Sequence, residues 1–131
     1  MGDFNSVSNI ELDRSDNSQQ RSFKQDPLLK WLTRQEFKDS YRLLNPESKE
    51  FSWSSRNLGS RIDQIWITEE LADGLYEAEI QEMDVYTNSD HKAALAKINL
   101  NHLIEVYGTA EIKRANYQRT IFLCEEATKE N

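Results

Sequence analysis

The 131-residue sequence lacks most of the features that assign a chain to a class at sight. It holds one cysteine, Cys124, so no intramolecular disulfide can form, and an intracellular, reducing setting is expected rather than secretion. No apolar run is long enough to span a membrane, and no charged-then-apolar leader opens the chain. No repeat, phosphate-binding glycine loop, Cys/His zinc spacing or serine-nucleophile motif is present. Positive charge is also short. Sixteen Lys and Arg stand against 23 Asp and Glu, a net charge of −7, which argues against a general nucleic-acid binder with a basic face. What remains is a polar globular chain, long enough for one domain with a modest core.

Along the chain, Ser6 to Gln25 is Ser, Asn, Asp, Gln and Arg with hardly an apolar residue, and reads as a surface loop. Asp26 and Pro27 have the chemistry of an N-cap and a first helical residue, and Leu28, Leu29 and Leu32 then predict one helical face. Thr33 and Glu36 are spaced as a capping box, predicting a second helix that buries Phe37, Tyr41 and Leu44. On it Asp39 and Arg42 read as a local ion pair, and Asn45-Pro46 ends it. Phe51 to Ser54 alternates like a strand, and Ser55 to Ser60 reads as a loop. Arg61 to Ile67 is the clearest strand, with Asp63, Ile65 and Ile67 on one face and Ile62, Gln64 and Trp66 on the other. Glu69 to Asp73 predicts a helical turn closed at Gly74. Tyr76, Ala78 and Ile80 are out of phase with Met83 and Val85, which predicts a bulge or break near Gln81-Glu82. Thr87 to Ser89 is turn chemistry, Ala93 to Ile98 a last strand buried on both faces. Leu103, Ile104, Val106 and Tyr107 fit a strand end or a segment packed on the sheet, and Glu111 to Asn131 a charged linker or helix.

Three short stretches carry chemistry. In Gly2-Asp3-Phe4-Asn5, extended backbone puts Asp3 and Asn5 on one side: a carboxylate that can orient a water, and an amide that can donate to a phosphoryl oxygen. In Arg61-Ile62-Asp63 the carboxylate shares a face with two isoleucines and requires a partner, since burial unpaired costs several kcal/mol. Ser89-Asp90-His91 follows the turn and supplies an imidazole. The residues Met1 to Ser6 also fit an N-myristoylation pattern, but no basic cluster follows to supply a second membrane signal, so no membrane is expected.

Gly-Asp-Phe-Asn, Arg-Ile-Asp and Ser-Asp-His, in this order, resemble the second half of the endonuclease/exonuclease/phosphatase superfamily, which includes DNase I-like and apurinic-site nucleases. The string from Leu43 through Ile67, with Asn45-Pro46 and Phe51-Ser52-Trp53, is most similar to the endonuclease domain of LINE-type retrotransposons. The resemblance implies an α/β fold of the α+β type: half of a four-layer DNase I-like sandwich, mainly one mixed or antiparallel sheet with flanking helices. Residues 1–100 would form the C-terminal half of such a domain, and 101–131 a trailing segment or linker, partly helical.

The implied activity is metal-dependent phosphodiester hydrolysis on DNA. Asp3 and Asn5 would hold the attacking water and the scissile phosphate, and Asp63 would hydrogen-bond His91, which donates to a phosphate oxygen. Asp90 would lie at the metal, Mg2+ or Mn2+. Trp53 either packs in the core or lies beside the substrate, and Arg61 is a weaker candidate for substrate contact. The family's first half, with its main metal-ligand glutamate, has no counterpart in these residues. Metal binding is therefore expected to be weak, activity impaired or absent alone, and self-association is expected through a sheet face bearing Ile65 and Ile67. The alternatives are a non-catalytic remnant or binding module of the same fold, or an inositol-phosphatase- or sphingomyelinase-like phosphoesterase.

Overall fold

A computed structural model describes residues 1–16, 24–83 and 88–108. Val85, Thr87, Cys124 and the segment Glu111 to Asn131, for which expectations were given above, lie outside the described residues.

The chain opens with β1 (Gly2–Asp3) and a short helix, α1 (Ile10–Asp13), capped by Asn9, whose side chain accepts the Glu11 and Leu12 N–H groups. The stretch expected as a plain surface loop is thus partly core. Val7, Ile10 and Asp13 are buried, and Arg61 N–H donates to Asp13 O at 2.8 Å. Helix α2 (Pro27–Arg34) starts where Asp26 and Pro27 predict it and buries Leu29 and Leu32. Leu28 turns outward, half exposed, so the apolar face is narrower than expected.

The capping box at Thr33 does not form. Thr33 lies inside α2 with its hydroxyl donating to Leu29 O at 2.9 Å, and Glu36 takes a left-handed φ of 64°. The local reversal sends Lys38–Asp39 into a strand, β2, before α3 (Ser40–Leu44) begins. Of the three residues expected in its core, Tyr41 is buried, Phe37 half-buried and Leu44 exposed. Asp39 caps α3 rather than pairing with Arg42 along it.

Strands β3 (Trp53–Ser55) and β4 (Leu58–Ser60) form a hairpin where a strand and a loop were expected; Arg56, at φ 53°, makes the turn. Gly59 is required there, because a Cβ would collide with the Phe51 ring. The expected single strand from Arg61 to Ile67 is cut into β5 (Asp63–Gln64) and β6 (Trp66–Ile67), which pair antiparallel with β1 and β2. Helix α4 (Glu69–Ala72) is capped by Thr68 and closes at Gly74, as expected. Strands β7 (Leu75–Gln81) and β8 (Ala93–Ile98) form the longest ladder. Strand β7 ends at Gln81, the break expected near Gln81-Glu82, and a bulge falls between Leu75 and Glu77, where the extra residue Tyr76 is exposed. No residue of β8 is fully buried, because β7 is its only strand neighbour among the described residues. Residues 100–107 are helical, α5 (Leu100–Tyr107), packed on α4 through His102 and Gly74.

The fold is therefore mixed α+β, and among the described residues its strands form four separate two-stranded antiparallel sheets rather than mainly one. The physical reason lies in the buried polar residues between them. Ser52, Arg61 and Gln64 are fully or almost fully buried; Ser52 Oγ accepts the Ile62 and Asp63 N–H groups and Gln64 donates to the Ser6 and Arg61 carbonyls, backbone groups that a continuous ladder would pair. Arg61 is the largest fully buried side chain. Its guanidinium clasps both oxygens of Asp39 (3.2 and 2.6 Å) and one oxygen of Asp13 (2.8 Å), and lies over the Tyr41 ring at 5.0 Å. Arg42 closes the set on Asp13 at 2.5 Å. Burial works against the Arg61 charge, but the Asp39 and Asp13 hydrogen bonds outweigh it and hold its pKa above the ordinary arginine value. Among the described residues, no helix is long and apolar enough to cross a membrane.

Candidate active site

Asp3 and Asp63 are register partners across the β1–β5 ladder, so their side chains stand side by side on one face. Phe4 N–H donates to Ile62 O at 2.8 Å, extending the pairing by one bond. Beyond it the chain turns away at once. Asn5 has a φ of 49°, a left-handed conformation that asparagine tolerates, and its N–H donates to Asp3 Oδ1 at 2.9 Å. Gln64 secures the far side of this turn by donating to Ser6 O at 2.9 Å. One carboxylate oxygen of Asp3 is thereby occupied by its own loop and the other is left facing outward.

His91 reaches the same place from the opposite direction. It bridges backbone to Trp53, and Lys92 N–H donates to Ser52 O at 2.6 Å. Its Nδ1 lies 2.8 Å from Asp63 Oδ2, the contact the resemblance implied. Its Nε2 stands 3.9 Å from Asp3 Oδ2 and 3.9 Å from Asp90 Oδ1. The ring is about one-third exposed, at 32 %. The hydrogen bond to Asp63 is the main force raising the His91 pKa above its ordinary 6.5; partial burial opposes it, and the charges of Asp63, Asp3 and Asp90 add to it. The cationic ring so favoured donates Nδ1–H to Asp63 and points Nε2–H between two carboxylates.

Ser52 organises this arrangement. Its fully buried hydroxyl oxygen accepts the Ile62 and Asp63 N–H groups, both at 3.0 Å, while its carbonyl holds Lys92. One serine thus ties the segment bearing Asp63 to the segment bearing His91. Nothing in the sequence marks it beyond its place between two aromatic residues in an alternating run.

The two weaker candidates part company. Trp53 is half-buried at the edge of the site and donates its indole N–H to Asp90 Oδ2 at 2.8 Å. Arg61 is not at the surface: fully buried, it binds Asp13 through Nε and Asp39 through both terminal nitrogens. Its expected role in substrate contact is corrected to one in the core. Asn5 is exposed beside Asp3, and its backbone, as described above, forms the turn.

Beside the pair lies a cavity of about 250 Å3, lined by Asp63 and His91 together with Met1, Met83 and Ala93. The class that fold and site define is a mixed α+β protein with an Asp–His pair set among further carboxylates. No family model matches the chain, and no curated protein matches it.

Proposed function

We propose that residues 1–100 are the C-terminal half of a DNase I-like phosphodiesterase domain of the retroelement endonuclease type, and that the substrate is DNA. The observation that carries the reading is the 2.8 Å contact between Asp63 and His91, with Asp3 and Asp90 each 3.9 Å from the other ring nitrogen. Residues 88 positions apart in sequence, Asp3 and His91, meet at one point, in the order and chemistry of the motifs that suggested them. In this reading Asp3 orients the attacking water and accepts its proton. Cationic His91, held in one orientation by Asp63, donates Nε2–H to a non-bridging phosphate oxygen as charge develops there. The Asn5 amide holds the phosphate, and Trp53 lines the approach while fixing Asp90.

A phosphodiester is an anion, and three carboxylates around its binding point repel it unless a cation intervenes. The resemblance implies Mg2+ for that task, and these residues fit it poorly. Magnesium takes oxygen donors in near-octahedral geometry. Here Asp63 Oδ2 is committed to His91, Asp90 Oδ2 to Trp53 and Asp3 Oδ1 to Asn5, and the atom facing the remaining oxygens is an imidazole nitrogen. The glutamate of the family's first half is the oxygen donor this set would need.

The test follows from that deficit. The chain alone should leave supercoiled plasmid intact in Mg2+. Joined to the first half of a LINE-type endonuclease, it should nick plasmid, and Asp3→Ala in the joined protein should lower the rate about 10²-fold or more. A folded joined protein that never nicks, or one indifferent to Asp3→Ala, contradicts the proposal.

A further inference from the structure

A second cavity, of about 290 Å3, lies against the buried arginine cluster, and none of Asp3, Asp63, Asp90 or His91 lines it. Its walls are apolar, formed by Phe37, Leu43 and Trp66. Phe37 is held by stacking on Trp31, with ring centroids 6.4 Å apart. Trp66 has spent its indole N–H on Gln64 Oε1 at 2.8 Å, which leaves its ring as apolar surface.

The polar side of this lining is short of acceptors. Asp13 Oδ1 accepts from Arg61 Nε at 2.8 Å and from Arg42 at 2.5 Å, and its Oδ2 accepts the Asn9 N–H at 3.1 Å. Both oxygens of Asp39 are taken by Arg61. Donors are left over. Ser8 Oγ and Arg42 Nε, from two lining residues, are buried with no hydrogen-bond partner among the described residues, a state that costs free energy until an acceptor arrives. Lys38 also lines the cavity, and its ammonium has no ion pair among the described residues. Three cations, Lys38, Arg42 and Arg61, stand there against two anions, Asp13 and Asp39, so the lining carries one surplus positive charge in a chain of net charge −7.

Apolar walls with surplus donors and one surplus positive charge select a monoanion that has an apolar body. An apolar cavity of about 150 Å3 takes one benzene ring, so this volume suits one ring or two fused rings with a carboxylate. We propose that the cavity binds a small aromatic carboxylic acid as its anion, the carboxylate accepting from Lys38, Arg42 Nε and Ser8 and the ring lying against Phe37, Leu43 and Trp66. Inorganic phosphate has no body to cover the walls, and acetate is too small to. The site shares no residue with the Asp63–His91 pair and does not rest on the phosphodiester reading.

The probe is 2-naphthoate, added to the full chain and followed by proton–nitrogen NMR. At millimolar concentration it should shift the Arg42 Nε–H and Trp66 indole N–H resonances and leave the His91 ring protons unmoved. The neutral 2-naphthamide should bind about 10-fold or more weakly, the factor that losing one charge-assisted hydrogen bond gives. Inorganic phosphate and acetate should shift neither resonance. Lys38→Met, whose side chain breaks no ion pair among the described residues, should lower the affinity about 10-fold. Leu43→Glu, at an exposed position of the wall, should abolish binding by repelling the carboxylate, whereas Leu58→Glu on the hairpin should bind as the parent does. No shift at millimolar naphthoate, equal binding of the amide, or the same shifts with phosphate or acetate would each overturn the proposal. So would parent-like affinity in Lys38→Met or Leu43→Glu, an equal loss in Leu58→Glu, or a response centred on His91.

Discussion

At the scale of single residues, His91 and the side chains that hold it set the electrostatics of the candidate site. The Asp63 hydrogen bond raises the His91 pKa, and the sign of that shift has two measurable consequences. In metal-free buffer, the His91 ring protons should titrate above 6.5 by NMR, and Asp63→Asn should bring the midpoint down towards the ordinary value. The stability contributed by the pair should be fully present below the unfolded-state pKa and lost as pH rises through the folded one. A His91 midpoint at or below 6.5 would contradict the geometry described here. Ser52 gives a second prediction. Removing its hydroxyl in Ser52→Ala leaves two buried N–H groups without their acceptor, a loss of about 1–3 kcal/mol in urea unfolding. Because those N–H groups belong to the Asp63 segment, the His91 midpoint should fall as well. A destabilised Ser52→Ala with an unmoved His91 midpoint would show that the serine supports the fold without positioning the site.

At the scale of elements, the sequence and the structure agree where local chemistry dominates and differ where distant polar groups intervene. Asp26 and Pro27 start α2, and Thr68 and Gly74 bracket α4, because capping is decided within a few residues. That Asp3, Asp63, Asp90 and His91 come together was legible for a related reason: they stand in short stretches whose order is read without knowledge of the fold. The core was not. Nothing local announces that Asp13, in a run of polar residues, will be fully buried, or that Arg61 will lie between it and Asp39. Those partners are 48 and 22 positions away, beyond any periodic signal. Arg61 consequently looked like a substrate contact, and the strand it precedes looked continuous. Removing its charge should expose the error energetically. Arg61→Met strands two buried carboxylates and should lower stability by about 3–5 kcal/mol, whereas Arg56→Met at the exposed hairpin turn should change it by roughly 0.5 kcal/mol or less. Similar urea midpoints for the two variants would mean the buried network is not the keystone of the core.

At the scale of the whole molecule, the mixed α+β composition was anticipated, and the division of the described strands into four small sheets was not. The surface expected to drive self-association also differs. Ile67 is buried and Ile65 half-buried, so the face they share is not the exposed apolar patch. Exposed apolar groups lie instead at Leu28 and Trp31 on α2, at Leu58 on the hairpin and at Tyr76 on the bulged strand. Short ladders with open edges next to such groups favour association between copies. Sedimentation velocity at rising concentration should show it, and Trp31→Lys should reduce it; a concentration-independent monomer would refute that expectation.

The central claim is that Asp63 and His91 work as one unit in phosphodiester hydrolysis, and a double-mutant cycle on the joined nuclease tests it most directly. Plasmid nicking in Mg2+ is measured for the parent, His91→Ala, Asp63→Ala and the double variant. The account predicts that His91→Ala loses about 10²-fold or more, and that adding Asp63→Ala to it loses little further, because the carboxylate acts through the ring. Full multiplication of the two losses, or an undiminished rate in His91→Ala, would contradict it.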